Sequence, residues 1–580
     1  MLLAEVKNTT VKRGLSRSVF WLSVGFFAVI ACIRVVSTYP VLSQFYDEPY
    51  HIACGMEWLE KHVYLYERQH PPLSRIAVAL PLYVRGLRGH AVRGPRPPDP
   101  AGRLPVEDGD AILNSHGEYM RNLAWARAGN LPFFLLSVVL LGLLGDFLFG
   151  SLPAIVAVAL FTLLPPVLGQ AGVATTDMSA VAGLLAVIYA LVLWVEQPNI
   201  GKSVLFGLSL GFALLTKFSL LPFLALGFVL TFVWAYLRHP EILPWRRIAL
   251  RPLIANLTVV SAMAFLAIWS VYRFHFAAVV TGHGFTPSTR GYGLLRPVAD
   301  WLLTARIPLG EFLGGIGAVM IHNRGGHPSF LLGAYRTTGW WYYFPVVLAV
   351  KTPVSFLILL LFGIPIAFSR LWSGDWRQGL PILFAAGILT SCMLARINIG
   401  VRHILPIFPL FALTAAQAVV SCLPRSRSLF KTRSLIMGVF CVGLIVESAW
   451  AHPDYAASFN ILGGKHPERI LVNGDLDGGQ DLKRLSDRLR ILRVDRFKLG
   501  YFGTADVTRM GLPPFEELSP REPVSGWIAL SAFKLELECA ENGNYCWLRQ
   551  HEPLERVGRS IFLYHLAEPV KGAPTSRKRG

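Results

Sequence analysis

Two adjacent carboxylates, Asp47 and Glu48, lie just beyond the first long apolar stretch of the chain, Trp21 to Thr38, and directly before Pro49. Acidic groups beside a membrane span are costly to keep there. They suit chemistry at the place where an embedded protein meets water. A carboxylate in that position could take the proton of an acceptor hydroxyl, or could ligate a hard divalent cation such as Mg or Mn that neutralises a departing phosphate. The same residues also fit a helix N-terminus, where acidic side chains and proline are favoured. His51 falls one helical turn after Asp47, a spacing that suits a hydrogen-bonded pair or a metal site.

Further ionisable residues occupy the ends of apolar runs. Asp177, in Thr175-Thr176-Asp177, either caps the helix that follows or converges with Asp47 on a shared cavity. Lys217 closes Leu214-Leu215-Thr216-Lys217 within otherwise unbroken apolar sequence, where it either snorkels to the interface or serves a site. Arg127 and Arg402-His403 raise the same choice. Several cations on one face suit a phosphate or pyrophosphate, to which arginine donates in bidentate fashion. His70, His322 and His327 are single polar residues with no zinc spacing, so the metal question stays open. No P-loop, dinucleotide-binding glycine pattern or Gly-x-Ser-x-Gly elbow is present.

The elements that must position these residues are membrane helices. Of 580 residues 53% are hydrophobic and 16% charged, with mean hydropathy +0.47, which excludes an ordinary soluble protein. The formal charge of +19 has no basic helix or nucleic-acid motif to carry it, and fits loops facing anionic lipid instead. Apolar runs near 19–38, 131–149, 152–169, 178–195, 201–216, 218–237, 253–272, 343–368, 379–395, 403–423 and 435–450 predict about eleven spans. Lys7, Lys12, Arg13 and Arg17 precede the first, which reads as a retained signal anchor. Basic residues at Arg238, Arg246, Arg247 and Arg251, then Arg370 and Arg377, then Arg425, Arg427, Lys431 and Arg433 place those loops and the N-terminus in the cytoplasm.

Three long segments then fall outside: 39–128, 273–342 and everything after 451. The division is a membrane catalytic domain over 1–450 and a small extracytoplasmic α/β domain over 451–580, with strand-like Arg469 to Asn473 and helical Gln480 to Leu492. Within the first loop, Ser74 to Val84, flanked by Arg75 and Arg85, predicts a helix lying in the interface. Arg93 to Pro105 predicts an irregular loop. The cluster Gly339 to Phe344 is suited to headgroup anchoring or to stacking on a sugar. Cys539 and Cys546 sit in the external tail, where they are either bonded or free thiols.

As an ordered set, Asp47-Glu48 with His51, His70-Pro71-Pro72-Leu73, Thr176-Asp177, the Lys217 span end, Gly339 to Pro345 through Lys351-Thr352-Pro353, Asn398 to Pro406 and Asp477-Gly478-Gly479-Gln480-Asp481 resemble the bacterial relatives of dolichyl-phosphate-mannose protein mannosyltransferases. The resemblance implies a GT-C fold in a cell membrane, the bacterial inner membrane. It also implies an inverting glycosyltransferase that moves a sugar from a polyprenyl-phosphate donor to a hydroxyl acceptor. In that reading Asp47 is the base, Glu48 its partner in the acceptor site, and Arg127, Lys217, Arg402 and His403 hold the donor phosphate, with His51, His70 and Asp177 in support. One departure is Ser74-Arg75, where the family continues with a small residue and lysine. The rival classes are a secondary transporter, against which stand the span-end charges and the lack of a visible repeat, and a non-catalytic membrane assembly protein.

Overall fold

The computed structural model describes residues 15–89, 103–279, 293, 296–373, 376–423, 430–521 and 524–570. The residues before the first span, most of the Pro-rich stretch and the basic residues Arg425 and Arg427 lie outside that set.

Every apolar run becomes helical. Among the described residues nine helices are long and apolar enough to cross a membrane, or up to ten when the pair Ser151–Leu163 and Pro165–Ala171, bent by 69°, counts as one. The shortfall from eleven has a physical cause. Pro165 breaks the third run, and Ile200–Thr216, at 17 residues, is shorter than a full bilayer crossing usually needs. Asn199 starts the short helix by accepting a hydrogen bond from the Lys202 amide. Packing relies on close backbone approach, as membrane helices require without a hydrophobic driving force. Between Leu220–Arg238 and Leu380–Leu394, a Cβ at Gly387 would lie 2.7 Å from the Gly227 nitrogen.

The first long loop folds into helices Glu48–Lys61, Pro72–Val84, Arg103–Leu113 and Tyr119–Ala128. The helix expected over Ser74 to Val84 is present as Pro72–Val84, and its two flanking arginines differ in burial. Arg85 is partly exposed, but Arg75 is fully buried, and the helix seals Val78, Ala79 and Leu82 against Ile52, Met56, Leu123 and Ala126. In the aromatic cluster Trp340, Tyr343 and Phe344 turn inward, and Trp341, 67% exposed, is left to face the surroundings.

After the last span the chain forms a mixed five-stranded sheet. Val524–Ser531 lies at its centre, parallel to Phe497–Gly500 on one side and antiparallel to Ile561–Val570 on the other. Phe515–Glu517 and Glu555–Val557 are the edges. Helix Leu482–Ile491 covers one face through Leu482, Leu485 and Leu489. The helical expectation over 480–492 therefore stands, whereas Arg469 to Asn473 joins no sheet: it leaves a short 3-10 turn, Pro467–Arg469, and ends in an isolated bridge between Asn473 and Asp477. Cys539 and Cys546 are joined by a disulfide, with Cα atoms 5.0 Å apart.

Candidate active site

Asp47 directly precedes helix Glu48–Lys61, yet its side chain makes no cap hydrogen bond. It pairs instead with the Arg402 guanidinium from a short 3-10 turn, Val401–Ile407. The two side chains are 30% and 24% exposed, so the pair is partly open to the surroundings. Burial works to raise the Asp47 pKa, but the opposing charge and hydrogen bond of Arg402 hold it below the usual carboxylate range.

A second ion pair lies alongside. Lys217 Nζ donates to Asp177 Oδ1 at 2.5 Å, where Lys217 stands in extended backbone between helices Ile200–Thr216 and Leu220–Arg238. Thr176, not Asp177, holds the cap position of helix Asp177–Glu196, and the Asp177 carboxylate pairs with Lys217 instead. Asp177 and Arg402 also interact electrostatically, which makes the four charges one alternating group. The Arg402 Nε and the His403 Nδ1 are buried without a hydrogen-bond partner among the described residues. The His403 ring is held between Phe223 and Phe344, at centroid distances of 6.5 and 5.9 Å.

Glu48 and Arg127 depart from the roles expected of them. Both side chains are fully buried and meet in a two-pronged pair: Arg127 Nε donates to Glu48 Oε1 at 2.9 Å and Nη2 to Oε2 at 2.8 Å. Arg127 spends its remaining contacts on the carbonyls of Leu42 and Ser43. Glu48 also accepts from the backbone amides of Ala174 and Phe45. With four of its five N–H donors engaged inside the fold and its side chain fully buried, Arg127 is not placed to receive a phosphate, and Glu48, equally buried, is not free to act on an acceptor. The pair ties the Asp47 segment to the residues just before Asp177.

His51 is likewise redirected. Its Nδ1 accepts from Arg75 Nε at 3.0 Å rather than meeting the Asp47 carboxylate, and burial together with Arg75 pushes its pKa well down. Arg75 also pairs with Glu67, donates to Tyr64 at 2.8 Å and lies 3.1 Å from the His70 Nδ1. Although burial opposes it, Arg75 and His70 hold Glu67 at about 2. His70 forms the edge of this cluster nearest the site and interacts electrostatically with Asp47. His322 hydrogen-bonds Gln69 at 2.7 Å and His327 at 3.3 Å. Among the described residues no group of three His, Cys, Asp or Glu side chains is placed to hold a metal ion. Asp47 and Glu48 face different cations, so the donor set does not fit the Mg or Mn reading.

Sequence reasoning gave no role to the residues that brace Arg402, although Lys351 stands in one of the resembling blocks. Asp475 Oδ1 accepts from the Val401 amide at 2.8 Å, and Lys351 Nζ donates to the carbonyls of Asp475 and Ala456 at 2.5 and 2.8 Å. Gly400 takes φ +94°, and a Cβ there would lie 2.7 Å from the Asp475 carboxyl carbon. The tail therefore forms part of the site wall. Lys351 within an apolar run and Asp475 among glycines were the available signals.

Residues 103–279, under half of the chain, match the family described as dolichyl-phosphate-mannose-protein mannosyltransferase. A comparison with curated proteins finds no match. Among solved structures, the Archaeoglobus fulgidus oligosaccharyltransferase tethered to an acceptor peptide is 9% identical with a TM-score of 0.52, covering 93% of this chain and 72% of that one. The same organism's AglB, in complex with an inhibitory peptide and a dolichol-phosphate, is 10% identical with a TM-score of 0.50, covering 92% and 72%. ArnT from Cupriavidus metallidurans bound to undecaprenyl phosphate is 12% identical over 96% of this chain and 99% of that one, with a TM-score of 0.44. Over residues 103–279 the match agrees with the resemblance read from the motifs, and the multispan fold is similar to that of the Archaeoglobus fulgidus oligosaccharyltransferase.

Proposed function

We propose that the protein is an inverting glycosyltransferase that moves a sugar from a polyprenyl phosphate to a hydroxyl acceptor, on the membrane face where the tail lies. The observation that carries this reading is the alternating group Asp47, Arg402, Asp177 and Lys217 at the mouth of the bundle. An ionised carboxylate is what a hydroxyl nucleophile needs, and fixed cations are what a phosphate leaving group needs. The acceptor oxygen bonds to the anomeric carbon as the bond from that carbon to the phosphate oxygen breaks. The hydroxyl proton passes to Asp47, and the electron pair stays on the phosphate, beside Lys217 and Arg402. His403 stands behind it with His51, His70 and Asp177 in support, whereas Glu48 and Arg127 hold the Asp47 segment in place.

The matched family and the lipid phosphates named with the similar structures point to the same donor class. Charges gathered at span ends also suit an interfacial enzyme better than a transporter with a midplane site. Mass spectrometry of lipid-linked sugars in cells with and without the protein tests the reading. One polyprenyl-phosphate sugar should accumulate when the protein is absent, and unchanged pools would sink the proposal.

A further inference from the structure

A polar cavity of about 140 Å³ opens where the tail meets the ends of the spans, apart from the Asp47 site. Its charged lining is wholly basic, from Lys465, Arg556 and Arg559, with Asn460, Phe459 and Leu476 completing the wall. The two arginines are held from outside the cavity. Arg556 donates to Glu468 at 3.0 Å and lies 4.7 Å from the Phe562 ring centroid, while Arg559 Nε is 3.8 Å from Asp454. Lys465 is exposed and has no ion-pair partner among the described residues.

The rim of the cavity is fixed at the membrane boundary. The Asn460 amide donates to the Val350 carbonyl at 2.9 Å, and its side chain donates to the carbonyls of Ala349 and Thr352, both at 2.6 Å. Those residues immediately precede span Val354–Trp372. Beyond Asn460, a rigid turn turns Ile461 and Leu462 outward, 84% and 59% exposed. Trp450, at the end of the last span, is 81% exposed. Exposed aliphatic side chains next to a span end are placed to meet lipid, and the basic recess that Asn460 joins to them is placed to meet a headgroup.

We propose that this cavity binds the phosphate headgroup of an anionic phospholipid whose acyl chains run along Ile461 and Leu462. The recess is roomy enough for a phosphate with its water, since a water occupies about 30 Å³ in the liquid. The lipid is distinct from the sugar donor, because the cavity includes neither Arg402 nor Lys217.

The test uses the full-length protein, delipidated in a neutral detergent and titrated with phosphatidylglycerol, phosphatidylcholine or inorganic phosphate, with bound lipid counted by native mass spectrometry. Phosphatidylglycerol should bind in preference to phosphatidylcholine. Lys465→Gln and Arg559→Gln should each weaken it about fivefold, the effect of removing one positive charge near an anionic lipid. Ile461→Ser with Leu462→Ser should weaken phosphatidylglycerol and leave inorganic phosphate unaffected. Equal phosphatidylglycerol binding by wild type and Lys465→Gln would overturn the proposal, and Lys465 is exposed enough that this variant folds. Binding displaced by inorganic phosphate and indifferent to the two serine changes would assign the recess to a soluble phosphate and overturn the lipid reading.

Discussion

At the residue scale, the two neighbouring carboxylates do different things. Asp47 is part-exposed and paired at the open site, so Asp47→Asn should remove the base while leaving the fold intact. Turnover should fall by about 10²- to 10⁴-fold with unchanged melting, measured on purified protein in nanodiscs. Glu48 is fully buried against Arg127. Breaking a buried pair by removing one partner costs about 3–5 kcal/mol, because the remaining charge has no counterpart. Glu48→Gln should therefore lower abundance and melting temperature, and the folded fraction should bind donor as the wild type does. A Glu48→Gln protein with normal stability and no turnover would return Glu48 to the acceptor site.

The positions of Asp47, Asp177, Lys217 and Arg402 were legible in the sequence because ionisable residues stand out at the ends of apolar runs. Their partners were not. Local sequence favours a cap for Asp47 and Asp177, but the actual contact of Asp47 is 355 residues away. A cap offers a backbone amide, whereas a neighbouring cation offers a full charge where little water competes for it. The same tertiary preference takes His51 to Arg75 rather than to the carboxylate one turn before it.

At the element scale, the site depends on short connectors held by other parts of the chain. Gly400 is the tightest of these, with a left-handed backbone and no room for a side chain beside Asp475. Gly400→Ala should displace the turn that bears Arg402. Donor binding should weaken several-fold or more, read as a loss of lipid-phosphate affinity in titrations of the protein that survives purification. A second connector joins three segments at Gln44, whose side chain donates to Asp110 on helix Arg103–Leu113 at 2.7 Å and to Thr504 of the tail at 3.2 Å. Burial raises Asp110 to about 7. The folded protein therefore binds a proton there that the unfolded chain releases near its ordinary value of 3.8. Stability from this group is present below the lower value and is lost as pH rises to about 7. Melting temperatures of wild type and Asp110→Asn should diverge with rising pH over that window, the wild type falling relative to the variant. Parallel curves would show that folding leaves the Asp110 pKa at its ordinary value.

At the scale of the whole molecule, the ion pairs determine how the chain crosses the membrane. Arg127 precedes span residues 131–149, and its partner Glu48 bonds the Ala174 amide just after the bent pair. The bent pair must therefore bring the chain back to the face it left. Lys217 meets Asp177 at the start of helix Asp177–Glu196, so the short helix Ile200–Thr216 must also return over the full depth. Counting both gives the eleven passes read from the apolar runs, although length alone supports fewer. At the opposite end, Arg377 pairs with Glu196, Arg247 donates to Val195 and Arg238 to Trp372. This gathers the basic loops away from the site. Basic loops stay in the cytoplasm, so the Asp47 site and the tail should face outward, where the Cys539–Cys546 disulfide persists. A membrane-impermeant maleimide applied to intact cells distinguishes the orientations. Ser525→Cys, on an exposed tail position, should label directly, and Glu241→Cys, exposed among the basic loops, should label only after the membrane is opened. The reverse pattern would invert the protein and place the transfer on the cytoplasmic side.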